Sequence, residues 1–208
     1  MDSHSPIPPN NNPKPLPRWL WWVSVPLLVG LVILGTLASQ QARQTRAIEK
    51  VEYLGGRVLM THTDPNWLRR LMGKRTLPLF QNATVVNLSD TQTTDADLMD
   101  LKELRGVERI NLSGTEITDA GLEYLTVHRD LKALDLTGTP IQGHGLKALS
   151  KLTQLEYLYL TNTEVGDTDW EHLKSLSHLR QLDLIGTNVS PAGVKTIQQD
   201  LPDVEVKW

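Results

Sequence analysis

The stretch Arg109–Leu122, RINLSGTEITDAGL, is one copy of a unit that recurs every 24 residues without insertion. Aligned on its polar strand residue, the frame returns at Asn87, Asn111, Asp135, Tyr159 and Asp183. An apolar residue stands on each side of that position, as in Ile110/Leu112 and Leu158/Leu160. Four residues further on is a threonine every time, at Thr91, Thr115, Thr139, Thr163 and Thr187. A second apolar set follows at Leu98, Leu122, Leu146, Trp170 and Val194, and a third at Leu101, Leu125, Leu149, Leu173 and Ile197.

The first half of each unit alternates apolar and polar residues, the period of a strand buried on one face. The second half begins with Thr, Ser or Asp and spaces its leucines three apart, which predicts a short capped helix, with Thr118 as the capping hydroxyl in the clearest copy. One such unit has nothing to bury its apolar face against, so neighbours must stack. A fixed period of this length headed by L-x-x-L-x-L predicts an α/β leucine-rich repeat solenoid, a right-handed β-α superhelix with a parallel sheet on its concave face. The threonine ladder is expected to bond loop backbone inside the stack, where polar groups must be satisfied.

The LSGTxITDAGLxxL frame resembles the short repeats of membrane-anchored leucine-rich repeat proteins of planctomycete-type bacteria, and is similar to the repeats of eukaryotic F-box substrate adaptors. The flanks Ala47–Val58, Trp67–Gly73 and Gly193–Trp208 also look like those of the bacterial family. The resemblance implies a membrane anchor and a repeat module, and leaves the ligand unnamed. Nothing in the chain resembles an F-box.

The 208 residues carry a formal charge of −3 and no cysteine. That balance argues against nucleic acid as the main partner, and it excludes disulfides and thiol chemistry. The chain divides into a Pro/Asn-rich tail over 1–18, an apolar run over 19–38, a helical linker and N-terminal cap over 39–82, five repeats over 83–202 and a capping strand over 203–208. Trp19–Ala38 has no charge, and at 1.5 Å rise per residue it matches a hydrocarbon core of about 30 Å. A single-pass transmembrane helix is therefore expected, with Trp19, Trp21 and Trp22 as an interfacial belt. A cleaved signal peptide ending near Ala38 is the competing reading. Flanking charges are nearly balanced, and a short N-terminus tilts the expectation toward an extracytoplasmic repeat domain at the cell membrane.

In the linker, Ala47, Ile48, Val51 and Leu54 fall on one helical face that Gly55-Gly56 should end. Arg57–Met60 reads as a strand, and Asp64-Pro65 should open a helix through Leu71. At the far end, Val206 and Trp208 take inward positions, with Trp208 expected to seal the core.

Chemistry is sparse. None of the 6 histidines forms H-E-x-x-H. His128 takes a slot that holds Leu104, Leu152 and Leu176 elsewhere and reads as a tolerated helix-end substitution. Asp95, Asp119 and Asp167 share a first-turn position that suits a helix dipole. There is no G-x-S-x-G and no phosphate-binding glycine loop. The sequence therefore predicts no enzyme, no metal, no cofactor and no small-molecule substrate. What remains is the exposed strand face. One row runs Asn87, Asn111, Asp135, Tyr159, Asp183, Lys207 and its neighbour runs Val85, Arg109, Ala133, Tyr157, Gln181, Glu205. Tyr157 and Tyr159, framed by Asp135 and Asp183 with Arg109 nearby, have the make-up of a protein- or peptide-binding hot spot; equally, tyrosine suits a strand. The alternatives are a structural envelope component that packs laterally, or a substrate adaptor for a proteolytic system.

Overall fold

The computed structural model describes residues 18–62, Arg70 and 81–208, with backbone alone for 18–25 and His62. The expected Pro/Asn-rich tail before Arg18 and the expected helix from Asp64 to Leu71 lie outside the described residues. Contacts divide the chain into two units, Met1–Ser39 and Gln40–Trp208.

Helix α1 runs Arg18–Tyr53. In the first unit, Thr36 and Ser39 turn their hydroxyls back onto the carbonyls of Ile33 and Thr36, both at 2.8 Å. The expected transmembrane span over 19–38 is overturned. Among the described residues no helix is long and apolar enough to cross a membrane. With the span falls the expectation of a single-pass protein at the cell membrane with its repeats outside the cytoplasm.

In the second unit the C-terminal part of α1 buries Ala47 and Val51, with Ile48 and Leu54 packed beside them. Lys50 pairs with Asp97 at 2.9 Å and so fastens this helix to the first repeat. The chain turns at Gly55, whose φ of 88° suits glycine. Strand β1 (Arg57–His62), longer than expected, pairs antiparallel with β2 (Gln81–Asn87). From β2 onward every pairing is parallel, through β3 (Arg109–Asn111), β4 (Ala133–Asp135), β5 (Tyr157–Tyr159), β6 (Gln181–Asp183) and β7 (Glu205–Lys207). The sheet has 7 strands in sequence order. Between strands lie α2 (Asp95–Leu101), α3 (Leu122–Leu125), α4 (Leu146–Leu149), a 3₁₀ helix (Asp169–Ser175) and α5 (Pro191–Asp200).

The apolar sets of the repeat are all buried, including Trp170 and Ile197. Loop backbone joins each repeat to the next: Leu112 N donates to Asp135 O, Leu136 N to Tyr159 O and Leu160 N to Asp183 O, at 2.8–2.9 Å. The threonine ladder does bond loop backbone, but inside its own repeat. Thr115, Thr139 and Thr163 donate to the carbonyls of Leu112, Leu136 and Leu160 at 2.6–2.7 Å. Buried hydroxyls thereby close the turn that reverses the chain after each strand.

The T-D-A-G-L segment acts differently from its expected role. Helix α3 begins only at Leu122, with Gly121 before it, so Thr118 caps no helix. Its N–H and hydroxyl are taken instead by Asp95 of the preceding repeat, at 2.8 and 2.6 Å. Asp167 holds Ser190 in the same way, at 2.7 Å for both bonds. The Ser190 bonds hold the Asp167 carboxyl below its ordinary range. The glycine of the motif leaves room for that carboxylate: a Cβ on Gly121 would strike Asp95 Oδ1, and one on Gly193 would strike Asp167 Oδ1. At Gly145 the added atom would meet Asp119 backbone at 2.7 Å. The shared aspartate is thus an inter-repeat clamp.

Two further expectations change. Trp208 does not seal the core and stays 59% exposed, while Val206 is half-buried. His128 is a core residue at 5% exposure, and its Nε2 is buried without a partner. Burial pushes its pKa down to about 4.

The clamp and the histidine each have a measurable consequence. Gly121→Ala should destabilise the fold by about 1–3 kcal/mol in urea melts. In an Asp95→Ala background much of that cost should vanish, whereas Gly145→Ala, which meets backbone, should gain nothing from Asp119→Ala. For His128, the unfolded chain takes up a proton below about 6.5 while the folded imidazole stays neutral until about 4. Stability should therefore fall as pH drops through that window, by up to about 3 kcal/mol. His128→Leu should abolish that dependence, leaving only the losses of paired carboxylates such as Asp97 at lower pH.

Candidate functional site: the exposed face of the sheet

The register places the two rows read from the sequence side by side. Tyr157 lies between Ala133 and Gln181, and Tyr159 lies between Asp135 and Asp183. Both tyrosines are half-buried on the solvent face of β5, while Leu158 between them is buried. Arg109 is exposed on β3, two strands from Tyr157 and so about 10 Å away. Asp135, Tyr159 and Asp183 are therefore brought into one row, and Arg109 is set apart from the aromatic pair.

The two acids already have structural work. Asp135 Oδ1 accepts from Thr137 N at 3.0 Å. Asp183 Oδ1 accepts from Ile185 N at 3.1 Å and from the Thr161 hydroxyl at 2.8 Å. Asn87 and Asn111 make the same bond to Ser89 N and Ser113 N, both at 2.9 Å. This row is a ladder of Asx turns that closes each strand end. Tyr159 is its exception, because a phenol cannot make that short bond. The turn after β5 lacks that bond but keeps the left-handed residue found at this point of the other repeats, here Asn162 with φ 54°, where they have Asp90, Gly114, Gly138 and Gly186.

A second departure escaped the sequence reading. Positions 89, 113, 137 and 161 hold Ser or Thr, whereas the fifth copy has Ile185, which is 47% exposed. Ile185 lies in the turn two residues beyond Asp183, the end of the strand that adjoins Tyr159, and its carbonyl accepts from Asn162 N at 2.8 Å. The signal was legible as a broken column in the repeat. Among the described residues, no three His, Asp or Glu side chains are grouped as a metal site requires.

Comparison with known proteins agrees with this architecture. Residues 107–125 and 127–150 match the leucine-rich repeat family model, so the chain carries leucine-rich repeats. The leucine-rich repeat ectodomain of the receptor kinase SOBIR1 from Arabidopsis thaliana is similar in fold, with TM-score 0.53 at 15% identity over 80% of this chain and 91% of that one. An internalin from Listeria monocytogenes matches with TM-score 0.45 at 22% identity over 53% of this chain. A leucine-rich repeat protein of Leptospira interrogans matches over the same 53% with TM-score 0.42 and 22% identity. This chain spans only 30% and 33% of those two bacterial proteins. No curated protein matches the sequence. Leucine-rich repeat proteins generally mediate protein–protein binding.

The Asx ladder separates a structural acid from a contact residue. Asp183→Ala should cost about 1–2 kcal/mol in urea melts, because it removes a charge-assisted turn bond. Asp183→Asn should restore most of that loss.

Proposed function

We propose that this chain is a non-enzymatic repeat module that binds a protein or peptide through the exposed strand face, centred on Tyr157 and Tyr159. The observation that carries the reading is the break in the Asx ladder at Tyr159. Every other repeat uses this column to close its own turn, and this one gives up that bond for a half-buried aromatic ring on the solvent face. Ile185 breaks a second column in the turn after the next strand, adding an exposed apolar side chain beyond Asp183. Rigid aromatics with a polar rim are what a binding hot spot requires. Arg109 would act at the periphery, as a charge that steers a partner.

Within this reading the chain divides into a tail to residue 18, a linker and N-terminal cap over 39–82, five repeats over 83–202 and a capping strand over 203–208. The T-D-A-G-L motif, read as similar to planctomycete-type bacterial repeats, has in this chain a structural use for its threonine and glycine, which accommodate Asp95 of the preceding repeat.

Selection of a displayed random-peptide library on the full chain tests this. Enriched peptides should bind Tyr157→Ala/Tyr159→Ala at least about tenfold more weakly, the loss of one hot spot. The same peptides should keep their affinity for Lys147→Ala, on the helical side. Equal binding to the tyrosine variant would sink the proposal.

A further inference from the structure

Resting on the strand-face reading and deepening it, we propose that the partner is an extended peptide segment that seats an arginine on Tyr159, between the carboxylates of Asp135 and Asp183. The row that holds these residues closes its turns equally well with an amide or an acid. Asn87 and Asn111 accept from Ser89 N and Ser113 N at 2.9 Å, and Asp135 and Asp183 make the same bond at 3.0 and 3.1 Å. The negative charge is therefore beyond what the turn needs. In this row it stands only on the two strands that flank Tyr159. Each turn bond is taken by Oδ1, and Asp183 Oδ1 also accepts the Thr161 hydroxyl. Among the described residues the second oxygen of each carboxylate takes no hydrogen bond, so it is left for a ligand.

Charge along the strands points the same way. The strand ends with their following turns, 87–92, 111–116, 135–140, 159–164 and 183–188, hold Asp90, Glu116, Asp135, Glu164 and Asp183 and no Lys or Arg. Among the described residues none of these acids is ion-paired. At the opposite end of the strands charges cancel in place, Lys132 with Glu108 at 3.1 Å and Arg180 with Glu156 at 3.2 Å. Arg109 also stands toward that end, in the row of Tyr157. A partner's cation is thus drawn to the turn side of the face and repelled from the other. There it meets Tyr159 with one carboxylate a strand away on each side, at a spacing of about 4.8 Å. A planar guanidinium stacks on the phenol ring and donates to a carboxylate at once, whereas a lysine ammonium lacks both the plane and the fork. Asp135, Tyr159 and Asp183 are half-buried, so such pairs are screened less than fully exposed ones. Lys207, beside Asp183 in the row, lies 3.7 Å from Glu205 instead.

Three displayed libraries test this, with Arg, Lys or Glu fixed at the centre of an otherwise random peptide and each panned on the full chain. The Arg library should enrich over the other two. A peptide selected from it should bind Asp135→Asn/Asp183→Asn at least about tenfold more weakly than the parent chain, because the amide keeps the turn bond and only the charge is lost. Replacing the fixed Arg by Gln should cost as much on the parent chain and little on that variant, as groups in contact do. Glu49→Gln/Glu52→Gln removes the same charge from exposed positions of α1 and should leave the affinity unchanged. Undiminished binding by Asp135→Asn/Asp183→Asn, an equal loss with the α1 variant, or enrichment from the Lys or Glu library instead would overturn the arginine assignment. If the selected peptides still lose affinity for Tyr157→Ala/Tyr159→Ala, the strand-face reading stands without it. Peptides that bind Tyr157→Ala/Tyr159→Ala as tightly as the parent, or no enrichment from any library, would overturn both.

Discussion

Everything in the repeat unit depends on a constant spacing between one turn of the chain and the next. Backbone N–H groups at the end of each strand bond to carbonyls of the next repeat, always 23 residues on, from Leu112 to Asp135, then Leu136 to Tyr159, then Leu160 to Asp183. An insertion in one repeat would leave buried backbone groups unpaired, and each such loss costs on the order of 1–3 kcal/mol. That constraint explains why the period is kept so strictly. It also explains why the threonine ladder bonds inward, to its own repeat. The backbone already joins the neighbours, so the hydroxyl is free to brace the turn.

The helical side solves the same problem with side chains. Helices of one turn, such as Leu122–Leu125, leave most of their terminal N–H groups without intrahelical partners. Carboxylates fill part of that need across the repeat boundary. Asp95 reaches Thr118, Asp119 reaches Gly143 N at 3.3 Å, and Asp167 reaches Ser190. Where the third repeat has Gly143 in place of the aspartate, Asp169 bonds Gly166 N at 2.8 Å from within the next repeat. The stack therefore tolerates a missing clamp if another acid supplies the bond.

Against this background, the informative residues are those that forgo a structural bond. Tyr159 and Ile185 interrupt columns that elsewhere hold turn-closing or hydroxyl residues, and they do so in adjoining repeats. His128 interrupts a leucine column too, but inside the core, where it remains neutral and unpaired. The same kind of departure thus carries a different meaning on each side of the sheet. Exposure converts a broken column into a candidate contact, and burial converts it into a pH-dependent weakness.

The sequence by itself determined the period, the buried leucine columns, the strand rows and their order. These follow from local alternation and from a repeat that admits only one stacking register. It did not determine what the polar residues do, because their partners lie a whole repeat away. Only the stacked structure turned Asp95 from a helix-dipole acid into a clamp on Thr118, and Asp135 and Asp183 from a polar rim into turn closures. Trp208 illustrates the limit from the other side. Its alternation marked it as inward, yet an inward direction buries a side chain only where other side chains cover it, and Trp208 stays exposed. The membrane span failed for a related reason. An apolar run read by composition is not yet a spanning helix, and among the described residues no helix is long and apolar enough to cross a membrane.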